Sequence, residues 1–261
     1  MRIPISTIQD QRISPYRDVK DRELAAMSND LFMVESEQLV RRLLASSFEV
    51  DSVLVTEKRA AEIAPLVPTN VPIYVAAGEV VNQIIGFKFH SGTMAVARRP
   101  RSPTIDDVLA DKEGVLIVVC PEIANTENLG SMIRIAAAFG ADAMLIGERS
   151  CDPFFRQSVR VSMGAVFKLP IVRSTDIVRD LQSLRERGVE LIATVLDELA
   201  EPLNDVRTPA RTAVLFGNEA QGLSPEHIAL CSRRVTIPMK LGTDSLNVAV
   251  AAGVFLYHFS R

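Results

Sequence analysis

Cysteine is scarce in this chain and is nowhere arranged for a metal or a disulfide framework. Among 261 residues there are three cysteines, Cys120, Cys151 and Cys231. They are odd in number, widely spaced and without a CxxC or CxxH neighbour, which excludes a zinc site of the usual spacing and gives no disulfide scaffold. We therefore expect no bound metal. We also expect the protein to reside in a reducing environment such as the cytoplasm.

The sequence also lacks a long hydrophobic run and a strong excess of one charge. Its start has no apolar segment typical of a signal peptide, and the longest apolar stretch, residues 246–259, is too short to cross a bilayer. Secretion and membrane insertion are therefore not expected. With 29 Lys and Arg against 32 Asp and Glu, the net charge is −3. A nucleic acid partner would have to be held by local basic patches, because the field of the whole protein does not attract it.

Two stretches of alternating strand and helix patterns follow one another along the chain. Residues 1–30 are polar and charged and are predicted to form an N-terminal arm. Residues 31–98 alternate β-branched runs such as VDSVLVTE with helix-spaced apolar stripes, which is typical of a small α/β domain. The Pro- and Arg-containing residues 99–107 are predicted to be a linker. Over residues 108–261 the alternation restarts, and continuous apolar runs such as VLIVVC and AVLFG indicate parallel strands buried on both faces.

Three loops that follow predicted strands carry the polar residues best placed for chemistry, because ligands of open α/β sheets bind beyond the carboxyl ends of strands. Residues 125–134 place Asn, Gly and Ser at a helix entrance, and residues 216–224 hold Glu219 between two glycines. In the third loop, Asn247 lies in the first turn of an apolar helix. Each loop also has a plain structural interpretation, as a capped helix, a turn or a core helix.

The sequence of the third loop predicts the capping residue of its helix and a hydrogen-bond partner for Asn247. Ser245 or Asp244 is predicted to cap the helix. A buried asparagine must be hydrogen-bonded, so we expect a polar partner for Asn247.

Common nucleotide and hydrolase motifs are absent. The sequence contains no GxxxxGK[ST], no GxGxxG after its first strand and no GxSxG. A P-loop nucleotide-binding protein, a dinucleotide dehydrogenase and a Ser-His-Asp hydrolase are therefore disfavoured.

Taken together and in this order, the three loops resemble the motifs of the SpoU (TrmH-like) class of the SPOUT superfamily, RNA ribose 2′-O-methyltransferases that use S-adenosylmethionine. The loops are similar to N-x-x-N-x-G-x-x-x-R, F-G-x-E-x-x-G-L and I-P-M-x-x-x-x-x-S-L-N-V-A. The run FMVESEQLVRRLL is similar to the substrate-binding domain of the family, so the resemblance covers nearly the whole chain. Departures are Thr126, Ile135 and Ser36, where the family usually has Pro, Thr and Gly.

This resemblance implies a fold and an activity. The fold is an α/β protein with a small N-terminal RNA-binding-like domain and a C-terminal parallel-sheet methyltransferase domain tied into a deep trefoil knot, although knots are very rare. The activity is methyl transfer to a ribose 2′-hydroxyl of rRNA or tRNA, with rRNA favoured, by a homodimer whose active sites are each completed across the interface. The alternative is a non-catalytic RNA-binding or ribosome-assembly protein with the same fold.

The resemblance also implies roles for individual residues. The implied catalytic residues are Asn125, Arg134, Glu219, Ser245 and Asn247. The implied cofactor site is formed by backbone around Thr194, Leu196, Gly217, Ile237, Met239 and Leu246. Because a guanidinium stays protonated in proteins, we expect Arg134 to gather phosphate and orient the hydroxyl as a cation. Proton transfer through Arg134 with help from a phosphate is the alternative.

Local basic clusters are the candidates for RNA contact in a chain of negative net charge. Arg17 and Lys20 in the predicted arm, and Arg41 and Arg42 on the first predicted helix of the N-terminal domain, are predicted to bind RNA phosphates.

Overall fold

The computed structural model describes residues 1–17, 30–85, 91–197 and 199–260, and the chain divides into two compact units. One unit combines Met1–Arg101 with Phe154–Phe167, and the other combines Ser102–Pro153 with Lys168–Arg261.

Strands and helices alternate along most of the described chain. The strands are β1 (Arg2–Ile5), β2 (Leu31–Glu35), β3 (Val50–Thr56), β4 (Ile73–Ala76), β5 (Thr93–Arg98), β6 (Val115–Cys120), β7 (Ala143–Ile146), β8 (Ile171–Arg173), β9 (Glu190–Thr194), β10 (Glu201–Pro202), β11 (Arg211–Leu215) and β12 (Arg233–Thr236). The α-helices are α1 (Glu37–Leu44), α2 (Glu57–Ile63), α3 (Gly78–Ile85), α4 (Ile105–Leu109), α5 (Thr126–Ala138), α6 (Arg156–Val161), α7 (Ile177–Glu186), α8 (Pro225–Leu230) and α9 (Val248–Phe259). None of these helices has the length and apolar character needed to span a bilayer.

The first unit is built on a mixed five-stranded sheet in the order β1-β4-β3-β5-β2. Its start differs from the predicted arm, because residues 2–5 form β1, which pairs in parallel with β4. The side chains of Ile5, Ile13 and Tyr16 are buried in the core of this unit. Charged and polar residues separate these apolar ones, so the segment is polar on average and was predicted as an arm. Its strand forms because β4, which is distant in sequence, pairs with it.

A segment from the second half of the sequence completes this unit, which corrects the predicted domain boundary at residues 108–261. The Phe154 ring lies 4.9 Å from that of Phe32, and the Phe167 ring lies 5.5 Å from that of Phe48, measured between centroids. Such aromatic pairs contribute beyond their buried area. The Arg99 guanidinium lies over the Phe154 ring at 5.4 Å. Helix α6, which these two phenylalanines flank, therefore belongs to the N-terminal unit.

Ser36 has a backbone conformation that explains why the family usually has glycine there. Its φ is +89°, in the region that a side chain disfavours. The Ser36 side chain accepts a hydrogen bond from the Leu39 backbone N–H at 3.4 Å and so caps α1. The capping bond compensates in part for the strained backbone.

The second unit is built on a seven-stranded parallel sheet in the order β10-β12-β9-β11-β6-β7-β8. Every side chain of β6 and β7 is buried, as the continuous apolar runs predicted for strands covered on both faces. In register, Leu215 of β11 lies beside Val119 of β6 and Ala193 of β9. The carboxyl ends of β6, β9 and β11 therefore lie side by side, and the loops that leave them share one edge of the sheet.

Candidate active site

The loop after β6 enters α5 through an asparagine cap. The Asn125 side-chain oxygen accepts hydrogen bonds from the backbone N–H groups of Glu127 at 2.7 Å and Asn128 at 3.2 Å. These two donors have no partner inside the helix, so the cap stabilises its first turn. The geometry assigns Asn125 a structural task at the helix entrance.

Glu219, in the loop after β11, holds this helix entrance. Its Oε1 accepts hydrogen bonds from the Asn128 side-chain amide at 2.9 Å and from the Asn125 backbone N–H at 3.2 Å. Its Oε2 accepts from the Ala124 backbone N–H at 3.4 Å. A carboxylate with several N–H donors is fixed in orientation and satisfied at both oxygens. Glu219 therefore joins two of the three loops.

Asn247 brings in the third loop through Asn128. The Asn247 Nδ2 donates to the Asn128 Oδ1 at 3.0 Å, so Asn247, Asn128 and Glu219 form one chain of side-chain hydrogen bonds. We call these three residues the amide chain. The polar partner predicted for Asn247 thus exists, and it is Asn128.

The helix cap in the third loop differs from the prediction. Asn247 is itself the N-cap of α9, accepting from the backbone N–H groups of Ala249 at 2.9 Å and Val250 at 3.4 Å. Neither Ser245 nor Asp244 has this position. Asn247 is also exposed, not buried, so the prediction of burial was wrong, because a cap residue lies outside the apolar part of its helix.

Sequence reasoning did not select Asn128 as a site residue. It is the second Asn of the first motif, but a polar residue in a first helical turn usually faces solvent. Its two cross-loop partners are 91 and 119 residues away. The available signals were its place in the motif N-x-x-N and its position three residues after a capping Asn.

A cavity of about 640 Å³ lies beside the amide chain, within the range of small-molecule sites. Three of the five predicted catalytic residues line it, namely Glu219, Ser245 and Asn247, while Asn125 and Arg134 do not. All six residues predicted for the cofactor line it: Thr194, Leu196, Gly217, Ile237, Met239 and Leu246.

Gly217 has no room for a side chain, and the obstacle is its own loop. A Cβ built there would lie 2.2 Å from the carbonyl carbon of Gly222 and 2.3 Å from the backbone nitrogen of Leu223. The loop folds back because Asn218 and Gly222 exchange two backbone hydrogen bonds, at 3.0 and 2.9 Å. The turn itself therefore requires a residue without a side chain at this position.

Arg134 lies away from the cavity of its own chain. It is exposed on α5, nine residues beyond Asn125, which at 1.5 Å per residue is about 13 Å along the helix. Among the described residues it has no hydrogen-bond or ion-pair partner. The structure thus leaves a solvated guanidinium on the same helix as Asn125 and Asn128, but outside the cavity wall.

Two thiols near the site are poor nucleophiles. Burial, followed by the negative charge of Glu219, raises the pKa of Cys151 to about 11. Burial also raises the pKa of Cys120. Since the thiolate is the reactive form, neither cysteine is suited to nucleophilic catalysis near neutral pH.

The predicted RNA-binding residues that the structure describes either interact with other residues of the chain or are partly buried. The Arg41 guanidinium pairs with Glu37, its NH2 group lying 2.8 Å from Oε1, and Arg42 donates to the carbonyl of Met163. Arg17 is half-buried. Lys20 lies outside the described residues. Their role in RNA binding stays a prediction.

Comparisons with known proteins agree with the motifs. Residues 115–257 match the sequence model of the SpoU rRNA Methylase family. A Mycobacterium bovis protein described as an uncharacterized tRNA/rRNA methyltransferase is 35% identical, over 97% of this chain and 89% of that protein. A Bacillus subtilis protein named 23S rRNA (guanosine(2553)-2'-O)-methyltransferase is 26% identical, over 97% of this chain and 98% of that protein.

A solved structure of similar fold holds a ligand. The SpoU methyltransferase AviRb from Streptomyces viridochromogenes, in complex with the cofactor AdoMet, has a TM-score of 0.80 to this chain at 25% sequence identity, covering 97% of this chain and 98% of that chain.

Proposed function

Because this chain belongs to the SpoU rRNA Methylase family, we propose that it transfers a methyl group from S-adenosylmethionine to a ribose 2′-hydroxyl of RNA. The observation that carries the proposal is the amide chain in the wall of a cavity that all six implied cofactor residues line. The Bacillus subtilis relative is named a 23S rRNA methyltransferase, which favours rRNA over tRNA as the substrate.

The cavity residues fit the proposed cofactor. Strand-end loops present backbone groups around Thr194, Gly217 and Ile237, and the volume of about 640 Å³ is that of a small-molecule site. When bound there, S-adenosylmethionine would supply a methyl group activated on a sulfonium sulfur. The task left to the protein is to hold the ribose oxygen in line with that methyl group, and such alignment contributes about 7–11 kcal/mol in favourable cases.

Within this mechanism the amide chain holds the three loops of the site in fixed positions. Asn128 has its Oδ1 committed to Asn247 and its Nδ2 committed to Glu219, so its orientation is fixed. Glu219 accepts from two backbone N–H groups and one side chain, which makes it an anchor for the loops. We propose that Asn247 and Ser245 contact the ribose, since both line the cavity.

We propose further that the protein acts as a homodimer in which Arg134 serves the cavity of the partner subunit. Arg134 is exposed and lies outside the wall of its own chain's cavity. Helix α9, which packs on α5, carries an exposed apolar stripe of Val250, Val254 and Tyr257, with exposed fractions of 54%, 40% and 53%. Such a stripe supports an interface. Arg134 would then orient the target through its phosphate as a permanent cation.

The N-terminal unit is proposed to bind the RNA, since a separate module permits recognition of a folded hairpin with unpaired bases. The knot and the cytoplasmic location stay predictions.

The decisive experiment is methylation of total RNA with labelled S-adenosylmethionine, followed by nuclease digestion to nucleosides. Label on ribose 2′-O-methyl nucleosides supports the proposal, with Arg134→Ala as the inactive control. Label on bases or on protein alone would contradict it. Failure to bind S-adenosylmethionine in calorimetry would favour the non-catalytic RNA-binding alternative.

A further inference from the structure

An ion pair between Asp197 and Arg234 lies in the wall of the cavity. Asp197 is in the loop after β9, and Arg234 is in β12, which pairs with β9. Of the described residues that line the cavity, Asp197, Arg234 and Glu219 carry a formal charge. Glu219 is held at both oxygens by three N–H donors. Asp197 accepts from one backbone N–H, that of Leu199 at 2.9 Å, and its Oδ2 pairs with the exposed Arg234, so the Asp197–Arg234 pair is the charged feature of this wall that a ligand can engage.

The sheet does not depend on this pair. The neighbouring Arg233 donates from Nε to Glu190 at 2.6 Å and from NH1 to Glu201 at 3.2 Å, which joins β12 to β9 and β10. Successive side chains of a strand point to opposite faces, so Arg234 points away from the hydrogen bonds that Arg233 makes with Glu190 and Glu201. The Arg234 side chain is 52% exposed and that of Asp197 27%, and pairs exposed to this extent contribute little to stability.

The geometry points to a subsite for an α-amino acid zwitterion, formed by Asp197 and Arg234. The inference rests on the proposed function: in S-adenosylmethionine, the α-ammonium would engage Asp197 and the α-carboxylate would engage Arg234. The exchange replaces one exposed pair by two charge-assisted contacts, and the guanidinium fork matches a carboxylate. The residues around Thr194, Gly217 and Ile237 offer backbone and apolar surface, which suits the adenosine end.

The test compares a ligand with the amino acid end against one without it, using the full chain in calorimetry. S-Adenosylhomocysteine has the zwitterion, whereas 5′-methylthioadenosine has the same nucleoside and thioether without it. We expect Arg234→Gln and Asp197→Asn each to weaken the binding of S-adenosylhomocysteine by about tenfold or more. Affinity for 5′-methylthioadenosine should be unchanged, which also shows that the variants are folded.

Arg233→Gln is the matched control, because it removes the adjacent arginine, which does not line the cavity. It should leave the affinity ratio of the two ligands at the wild-type value. Equal weakening of both ligands by Arg234→Gln and Asp197→Asn would overturn the subsite and indicate contact with the ribose or loss of structure. Weakened RNA binding with unchanged S-adenosylhomocysteine affinity would also overturn it.

The proposed function fails in a different way. If the wild-type chain binds neither S-adenosylhomocysteine nor S-adenosylmethionine, both the proposed function and the subsite are wrong. If the wild-type chain binds them and the two variants bind equally well, only the subsite is wrong.

Discussion

The side-chain amide of Asn247 donates a hydrogen bond at 3.0 Å to the side-chain oxygen of Asn128, across 119 residues of sequence. The same Asn128 donates at 2.9 Å to Glu219. Each residue lies in a different loop of the sheet edge, so one asparagine in the first turn of α5 couples all three loops. The arrangement uses both functions of an amide, an acceptor and a donor, at fixed positions.

Replacing Asn128 by Asp tests this coupling. The carboxylate can still accept from Asn247, but at neutral pH it lies against Glu219 as a like charge, which raises the pKa of one of the two. We expect turnover to fall about tenfold or more at pH 8 and to recover in part near pH 6, where a shared proton restores the donor. The pH profile of turnover measures this.

Asn204→Asp is the matched control, since Asn204 is exposed, also lies beside an acidic residue, Asp205, and does not line the cavity. Its pH profile should follow the wild type. A profile for Asn128→Asp that is reduced equally at every pH would show that the donor to Glu219 is not the group that matters.

Arg134→Ala should separate chemistry from cofactor binding. The guanidinium lies outside the cavity wall of its own chain, so affinity for S-adenosylmethionine should stay at the wild-type value. Turnover should fall by two orders of magnitude or more, about 3 kcal/mol in the transition state. Near wild-type turnover would remove Arg134 from the mechanism.

Mixing two inactive variants tests whether Arg134 serves the partner's cavity. A heterodimer of Arg134→Ala and Glu219→Gln chains then has one site with both native residues and one with neither. Random mixing gives half heterodimers in a twofold dimer, so activity should return to about a quarter of wild type. No recovery in a mixture shown to exchange subunits would place Arg134 and Glu219 in the same chain's site.

Gly217→Ala should disrupt the loop after β11. The added methyl group would lie 2.2 Å from a backbone carbon of Gly222, and overpacking against backbone costs about 1–3 kcal/mol. We expect a lower free energy of unfolding and weaker cofactor binding. Gly78→Ala, where a Cβ meets nothing within 4 Å, should change stability by less than about 1 kcal/mol. Equal effects of the two substitutions would refute the steric explanation.

The cysteines should make stability fall at alkaline pH. Burial raises the pKa of Cys151 to about 11 and that of Cys231 to about 12, whereas unfolded thiols titrate near 8.5. The unfolded chain therefore loses these protons first, and the stabilisation, complete below about pH 8.5, is lost as the pH rises toward 11 and 12. Unfolding by denaturant between pH 8 and 11 measures the loss.

A Cys151→Ser and Cys231→Ser double variant is the control, because serine hydroxyls do not titrate in this range. Its stability should depend less steeply on pH above about 8.5 than that of the wild type. In the native wild type, alkylation by iodoacetamide at pH 8 should be slow at both thiols. Identical pH dependence and fast alkylation would show that burial does not hold the thiols protonated.

Neutralising Arg41 and Arg42 together tests RNA binding by the N-terminal unit. Glu37 already compensates Arg41 in part, so we expect the salt dependence of RNA binding to fall by about one unit of slope. Cofactor affinity should not change. Arg233→Gln is the control, because it removes an arginine that pairs with Glu190 in the other unit. A salt slope equal to wild type would place the RNA elsewhere.

Local patterns in the sequence determined most of the strands and helices and selected loops that meet at the candidate site. Continuous apolar runs predicted β6 and β11 as buried parallel strands, because a strand covered on both faces needs no polar alternation. The rule that ligands bind beyond strand ends selected the loops that surround the cavity. All six residues that the family resemblance implies for the cofactor also line it. Thr194, Gly217 and Ile237 lie at the ends of β9, β11 and β12 or within two residues after them.

Tertiary structure alone decided how distant segments combine. Residues 2–5 become a strand only because β4 is there to pair with them, and Phe154 and Phe167 join the first unit because Phe32 and Phe48 offer an aromatic surface. Periodicity reports which face of an element is apolar, but it does not report which partner covers that face. For the same reason the role of Asn128 was hidden, since its two cross-loop hydrogen bonds join loops that lie far apart in sequence and meet only when parallel strands align their carboxyl ends.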